Sequence, residues 1–292
     1  TELYIDGTSV VLPADFSTSV KRENPFFTKN GEYTYDITLQ LSNSINADLY
    51  EHLNRLNSIA ELKTKRQAVL VADNRVYCNG TEIITGWTDS TVSIQIASGN
   101  SELNSFIGND LLVSSLDMGE DEIPTGIINN LVKRIYPDVD YCIPPVMTDK
   151  GVINGWRVAV TVVTTSKPTI SPNYLRETGV DIYLQPYLCA YIRKLMKALG
   201  YTVLTNQLED SEWNLLYLPQ NGHPNQYAKM FPGWTINELI TEFESFFNLC
   251  FLVNNRKKEV SILFRAEYFK NAQVCHVQHC LLYTSDAADD KA

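Results

Sequence analysis

The chain has 292 residues, of which 44% are hydrophobic and 11% aromatic, a composition that supports a packed core and argues against wholesale disorder. The formal net charge of -10 argues against a sequence-independent nucleic-acid binder, which needs a basic surface to displace counterions. No apolar run approaches the ~20 residues that span a bilayer. The cysteines are scattered without a CxxC pair, which indicates free thiols rather than a disulfide framework.

Residues 1–100 are predicted to form a β-rich domain, a small barrel or sandwich. The period-2 alternation of apolar and polar residues predicts a half-buried strand over residues 33–41. Further strands are expected at residues 3–5, 68–72, 75–78, 82–85 and 91–97. Asn79-Gly80 supplies the turn between two of them. One short helix is expected over residues 46–57, where leucines fall on one face.

Residues 101–182 are predicted to be a mixed segment that ends in a linker. Ile127, Leu131 and Ile135 fall on one side of a possible helix over residues 123–135. Alternating apolar residues predict a strand over residues 156–165. Pro168, Pro172 and Gly179 then indicate a loop, so we place a domain boundary near residues 170–182.

Residues 183–279 are predicted to form an α+β domain with two core helices and a β-hairpin. The first helix should start near Pro186 and end at Gly200, because proline suits a first turn and glycine a left-handed cap. Strands are expected next, at residues 201–204 and 213–218.

The second helix of this domain carries a stronger signal. Thr235 and Glu238 form a capping box, and Trp234 and Leu239 have the spacing of a hydrophobic staple. Two strands, residues 249–253 and 259–264, then form the hairpin. The side chains predicted to face the core are Ile236, Leu239, Ile240, Phe243, Phe246 and Phe247.

Residues 280–292 read CLLYTSDAADDKA, and their back-translation matches the transposon end and adapter used in sequencing libraries. A His279 codon of CAC supplies the one adapter base that precedes it. We therefore expect this tail to be adapter read-through and further natural sequence to follow residue 279. The absence of a Met before Thr1 leads us to expect an incomplete N-terminus as well.

Two groups of residues have the chemistry of a metal site. Cys275, His276, His279 and Cys280 would form a compact zinc-like cluster, but Cys280 belongs to the suspect tail. His223 follows the acidic residues Glu209, Asp210 and Glu212 and could bind a metal or transfer protons. Its flanking Asn-Gly and Pro-Asn residues favour an exposed loop histidine instead.

Other patterns have a structural interpretation that we prefer. Asp117 and residues 119–122 could bind Ca²⁺ but lack EF-hand spacing, which favours a solvated acidic turn. Asn79-Gly80-Thr81 is a formal glycosylation acceptor that reads more simply as a hairpin turn. Glu242 and Glu244 share one helix and do not make a glycosidase pair without a measured separation. The aromatic residues of 187–191 and 243–247 have core spacing rather than that of a sugar platform.

No GxSxG, HExxH, Walker A or GxGxxG motif is present. The sequence therefore predicts no catalytic residue, no cofactor, no bound metal and no enzyme activity within residues 1–279.

Two stretches of the chain resemble tail proteins of bacteriophages and prophages, of the baseplate-hub or tail-tip type. The first runs from Asn24-Pro25-Phe26-Phe27 through the alternating residues 33–39, residues 52–56 and residues 94–103. The second covers residues 184–264 and includes FPGWTINELITEFESFFNLCFLVNNRKKEVSIL. Together they span over half of residues 1–279.

The resemblance implies a structural protein that assembles into a ring, often trimeric, with itself and other tail proteins. It also implies a β-barrel tube domain paired with an α+β domain, localisation in the virion tail and assembly in the bacterial cytoplasm. Two alternatives stay open. One is a tail module that binds host carbohydrate or receptor through residues 219–233, Tyr227 and Trp234. The other is the non-catalytic part of a tail-associated cell-wall hydrolase.

Overall fold

The computed structural model describes residues 1–55, 66–122, 128–149, 151–163, 169–176, 178–220 and 226–270. Within these ranges the protein has an α+β fold with an eight-stranded antiparallel sheet, smaller sheets and several helices, as the sequence predicts. None of the helices in the described part of the chain has the length and apolar character needed to cross a membrane.

The eight-stranded sheet is built from the first hundred residues. Its order is β2-β1-β6-β7-β8-β4-β3, and β5 also pairs with β8. The strands are β1 (Glu2–Ile5), β2 (Thr8–Val10), β3 (Val20–Arg22), β4 (Glu32–Thr34), β5 (Ile37–Gln40), β6 (Gln67–Ala72), β7 (Arg75–Trp87) and β8 (Thr91–Ser98).

One face of this sheet encloses an apolar core. Val92, Ile94 and Ile96 alternate along β8 and are fully buried, as the period-2 pattern predicts. Leu3 and Ile5 of β1 and Leu39 of β5 join the same cluster, so strands from both ends of the sheet meet around one interior. The sheet therefore curves into a barrel-like shape.

The open side of the barrel is bridged by helix α1 (Ser44–Leu49). The buried amide of Asn46 donates to the carbonyl of Val11, just after β2, at 2.9 Å and to that of Gln40 in β5 at 3.0 Å. Its oxygen accepts from the Val11 amide at 3.0 Å. A single side chain therefore joins the two edges, and we call this contact the Asn46 seam.

Three sequence predictions for this domain are corrected. Asn79-Gly80 is not a turn but lies inside β7; the turn from β6 to β7 is Asp73-Asn74, with φ angles of 49° and 57°. Glycine is required at position 80 because a Cβ would lie 2.0 Å from the Ala97 carbonyl oxygen. The strand over residues 33–41 is two strands, β4 and β5. The helix over residues 46–57 is the shorter α1, although residues 56–57 fall outside the described ranges.

The middle of the chain contains a helix that sequence patterns missed, α2 (Asn100–Ile107). Of the helix predicted over residues 123–135, the structure shows a short helix within residues 128–135. Residues 123–127 lie outside the described residues. The elements that follow α2 are α3 (Asn129–Lys133), β9 (Tyr141–Cys142), β10 (Val146–Thr148), β11 (Gly151–Ile153), β12 (Trp156–Val163) and β13 (Thr169–Arg176).

Strands β12 and β13 form a two-stranded antiparallel ribbon. β12 confirms the predicted strand at 156–165 up to Val163. Pro172, which we took for a loop residue, lies in β13 opposite Val160, so that prediction was wrong. A ribbon of two strands leaves each strand an edge, where a residue without an N–H is tolerated.

The last part of the described chain is the α+β unit, with the predicted two helices and hairpin. Its three-stranded sheet has the order β15-β17-β16, in which β15 runs parallel to β17. The elements are β14 (Gln185–Pro186), α4 (Leu188–Ala198), β15 (Thr202–Asn206), α5 (Ile236–Phe247), β16 (Leu249–Asn254), β17 (Glu259–Phe264) and α6 (Arg265–Lys270).

The helix ends follow the predicted chemistry closely. Gly200 takes φ +85° and donates to the Lys197 carbonyl at 2.9 Å, which ends α4 as a left-handed cap. The Thr235–Glu238 capping box starts α5. Pro186 lies just ahead of the N-cap of α4, Tyr187, rather than inside the helix.

Two predictions for this unit were wrong. Residues 213–218 are not a strand: Glu212–Leu215 is a 3-10 turn, and Tyr217 makes only an isolated bridge to Tyr187. Phe246 does not face the core, because 77% of its surface is exposed. The core of this unit also includes Leu103 and Val113, from the stretch assigned to the mixed segment.

Candidate functional site

Helix α2 joins the barrel to the α+β unit through Asn100. The Asn100 amide donates to the Phe251 carbonyl at 2.5 Å, and its oxygen accepts from the Val253 amide at 3.0 Å. Glu244 accepts from the Phe251 amide at 3.4 Å. These backbone groups lie on the edge of β16 that faces away from β17, so side chains replace a neighbouring strand there.

The loop of residues 24–31 makes a second connection. Cys250 donates to the Pro25 carbonyl at 3.3 Å, and Arg265 donates to the Phe26 carbonyl. Lys29 donates to the Thr241 hydroxyl at 2.5 Å, and its own carbonyl accepts from Asn104 at 2.5 Å. The loop therefore contacts α2, α5, β16 and α6, which holds the barrel against the α+β unit.

An aromatic surface lies at the carboxyl end of α5 and comprises Trp213, Phe246 and Phe247. The Phe246 and Phe247 ring centroids are 4.7 Å apart, and those of Trp213 and Phe247 are 5.9 Å apart, both in edge-to-face arrangements. Because Phe246 is 77% exposed, this cluster presents apolar area to solvent. Exposed aromatic groups of this kind are typical of protein contact surfaces.

A second feature is a basic cleft of about 380 Å³ between the barrel and the turn that joins β16 to β17. Three cations line it, and Glu102 is its carboxylate. The cationic and amide side chains in its lining are Arg66, Gln67, Asn79, Asn255, Arg256 and Lys258. In the sequence, residues 256–258 read Arg-Lys-Lys in the turn between the two predicted hairpin strands, and this basic run was the signal for the cleft.

On the barrel side of this cleft, Arg66 belongs to a buried polar network. Arg66 donates to Glu82 at 2.5 Å through Nε and to the Leu49 carbonyl at 2.8 Å through Nη1. Tyr50 donates to the other oxygen of Glu82 at 2.5 Å, and its ring lies 4.6 Å from the Arg66 guanidinium. Burial and the Glu82 charge raise the pKa of Tyr50, so the hydroxyl stays protonated as a donor.

Glu209, one of the acidic residues proposed near His223, is engaged in a structural ion pair. Arg193 donates to both of its oxygens at 2.6 Å, and Tyr136 donates at 2.8 Å. Burial raises the pKa of Glu209, but the hydrogen bonds from Arg193 and Tyr136 outweigh it, so the net pKa is lowered. His223 itself lies outside the described residues, as do Cys275, His276, His279 and Cys280.

The acidic turn of residues 117–122 is held by one local hydrogen bond and by two from the distant residues Gln226 and Tyr227. Asp117 accepts from the Gly119 amide at 3.2 Å, and Glu120 accepts from Gln226 at 3.2 Å. Asp121 accepts from the hydroxyl of Tyr227, which is fully buried. Tyr227 is therefore not an exposed contact for a host glycan, whereas Trp234 is 40% exposed and packs on Phe231.

The other candidate residues from the sequence, Asn79, Glu242 and Glu244, lie among the described residues. Asn79 accepts from Gln67 at 3.3 Å within the strand β7. Glu242 is exposed on α5, whereas Glu244 is buried and burial raises its pKa. In the described part of the chain, no group of three or more His, Cys, Asp or Glu side chains could hold a metal ion.

The described cysteines are free thiols: Cys78, Cys142, Cys189 and Cys250. Burial is the main cause that raises the pKa of Cys78 to about 12 and that of Cys142 to about 11. A raised pKa keeps a thiol protonated and a poor nucleophile.

Comparison of the chain with protein-family models, with curated proteins and with solved structures found no match.

Proposed function

We propose that this protein is a structural component of a bacteriophage tail, of the baseplate-hub or tail-tip type. It assembles with copies of itself and with other tail proteins into a ring in the bacterial cytoplasm and remains in the virion tail. The sequence resemblance is the origin of this proposal, and the structure supplies supporting observations.

The observation that supports the proposal most is the contact between the two stretches that carry the resemblance. Pro25, from the first stretch, accepts a hydrogen bond from Cys250 in β16, which is part of the second stretch, and Phe26 accepts one from Arg265, the residue just after that second stretch. The barrel-like sheet and the α+β unit are thus packed together in one body. That arrangement agrees with the paired tube and α+β domains that the resemblance implies.

The aromatic surface supports the assembly part of the proposal. Phe246 lies outside the core of its own subunit, although it lies on a helix whose other apolar side chains are buried or, for Phe247, partly buried. Burial of such a ring against a neighbouring subunit is worth about 2 kcal/mol. We assign this surface to contacts between subunits.

Two measurements test the proposal. A long sequencing read across codon 279 of the source DNA should show neighbouring genes for other tail proteins. Flanking genes of an unrelated pathway would contradict the tail assignment.

Assembly is tested by sedimentation velocity over a concentration series and by negative-stain electron microscopy of the full chain. We expect oligomers with ring-shaped particles, and weaker association in Phe246→Ser. Leu204→Ser is the matched control, because Leu204 is an exposed apolar residue on β15, 63% exposed and outside the aromatic surface. A protein that stays monomeric at high concentration, or equal loss in both variants, would contradict the assembly proposal.

A further inference from the structure

We propose that the basic cleft binds a phosphate group, a site that is independent of the tail assignment. The inference rests on the residues that line the cleft and on the state of the Arg66 guanidinium. It concerns the chemistry of the ligand, which is either free phosphate or a phosphate carried on a larger molecule.

Arg66 supplies the central observation. The side chain is only 6% exposed, and two of its three nitrogens are satisfied by Glu82 and the Leu49 carbonyl. The third, Nη2, is buried and has no hydrogen-bond partner within the described structure. A buried guanidinium N–H without an acceptor is destabilising, and Arg66 lines a cleft large enough to admit one.

The charges around the cleft favour an anion as that acceptor. Arg256 and Lys258 line it together with Arg66, whereas Glu102 is the carboxylate in the lining. Glu102 already accepts from Lys258 at 3.1 Å, so it does not compete for Arg66. With Arg66 paired to Glu82 and Lys258 paired to Glu102, the lining keeps the positive charge of Arg256 to attract an anion.

The neutral side chains of the lining also favour an anion, because they carry hydrogen-bond donors. Gln67, Asn79 and Asn255 carry amide donors, and Thr81 carries a hydroxyl. A tetrahedral oxyanion accepts several hydrogen bonds at once, and arginine matches phosphate geometry with two parallel donors. Phosphate therefore offers acceptors to several of the lining donors at once, which a monovalent halide ion does not.

The turn between β16 and β17 offers a matched pair of variants. Arg256 and Lys257 are neighbouring, exposed and of equal charge, but only Arg256 lines the cleft. Isothermal titration of the full chain with inorganic phosphate, with chloride adjusting the ionic strength, should detect binding. Arg256→Gln should weaken binding about tenfold, the loss of one charge-assisted hydrogen bond. Lys257→Gln should leave it nearly unchanged.

Arg66→Lys extends the test to the buried group, because it keeps a positive charge beside Glu82 but removes Nη2; we expect loss of phosphate binding. If this variant does not fold, the comparison of Arg256→Gln with Lys257→Gln decides the question alone. Absence of phosphate binding by the unmodified chain, or equal weakening in both turn variants, would overturn the proposal. A parallel titration with dimethyl phosphate separates the sources: binding of both probes indicates a phosphodiester polymer, and binding of inorganic phosphate alone indicates a free or monoester phosphate.

Discussion

Asn100 offers the sharpest test of how the two parts of the protein are joined. In Asn100→Ala, the Phe251 carbonyl and the Val253 amide both lose their side-chain partner. Each buried backbone group left unpaired costs about 1–3 kcal/mol, and some water will enter the space of the missing side chain. The two groups together would cost about 2–6 kcal/mol, and entry of water lowers that cost. We therefore expect the free energy of unfolding to fall by about 3 kcal/mol.

The measurement is urea unfolding followed by circular dichroism, with linear extrapolation to water. Asn104→Ala is the control, because Asn104 lies one turn later on the same helix and donates to one carbonyl from a half-exposed position. It should lose less than about 1 kcal/mol. Hydrogen exchange adds a local readout: the Val253 amide should exchange faster in Asn100→Ala. Equal losses in the two variants, or unchanged protection of Val253, would refute the edge-closure argument.

Three further predictions concern single contacts. Thr235→Ala removes one half of the capping box and should lower the free energy of unfolding by about 1 kcal/mol in the same urea assay; no change would mean that the cap is dispensable. Because the pKa of Glu209 is lowered in the folded state, its ionised form stabilises the fold above the unfolded pKa, and this contribution is lost as the pH falls through the folded value. Glu209→Gln should therefore be less stable than the parent at pH 7, by about 1 kcal/mol for this partly exposed pair, and the gap should close below about pH 4; a constant gap would contradict this. Alkylation at pH 8, mapped by mass spectrometry, should modify Cys142 before Cys78, Cys189 and Cys250, because Cys142 alone of these four is half-buried; early modification of Cys189 would show that the core opens.

Helix caps and apolar alternation in the sequence predicted the α+β unit well because these signals act over a few residues. The capping box of Thr235 and the left-handed cap at Gly200 depend on neighbours within one turn, and the hairpin depends on alternation around a polar turn. Phe246 was misplaced because it follows the apolar spacing of α5, yet at that position the helix faces solvent. Spacing alone does not tell which end of a helix is covered.

Gly80 shows where prediction from local sequence fails. Asn79-Gly80 has the composition of a tight turn, but Gly80 is needed because the β8 backbone approaches it within the volume of a Cβ. That reason comes from a strand that is remote in sequence. The network of Tyr50, Arg66 and Glu82 was missed for the same reason, since three residues on different elements carry no shared local pattern.

The Asn46 seam has a mechanical consequence. Elsewhere the barrel wall is closed by backbone ladders, which separate only when several hydrogen bonds between strands break together. At the seam, rotation of one side chain breaks the three Asn46 hydrogen bonds while every strand pair stays intact, and the two edges are then joined by the apolar core. The line between β2 and β5 is therefore the place where the barrel can open without separating a strand pair.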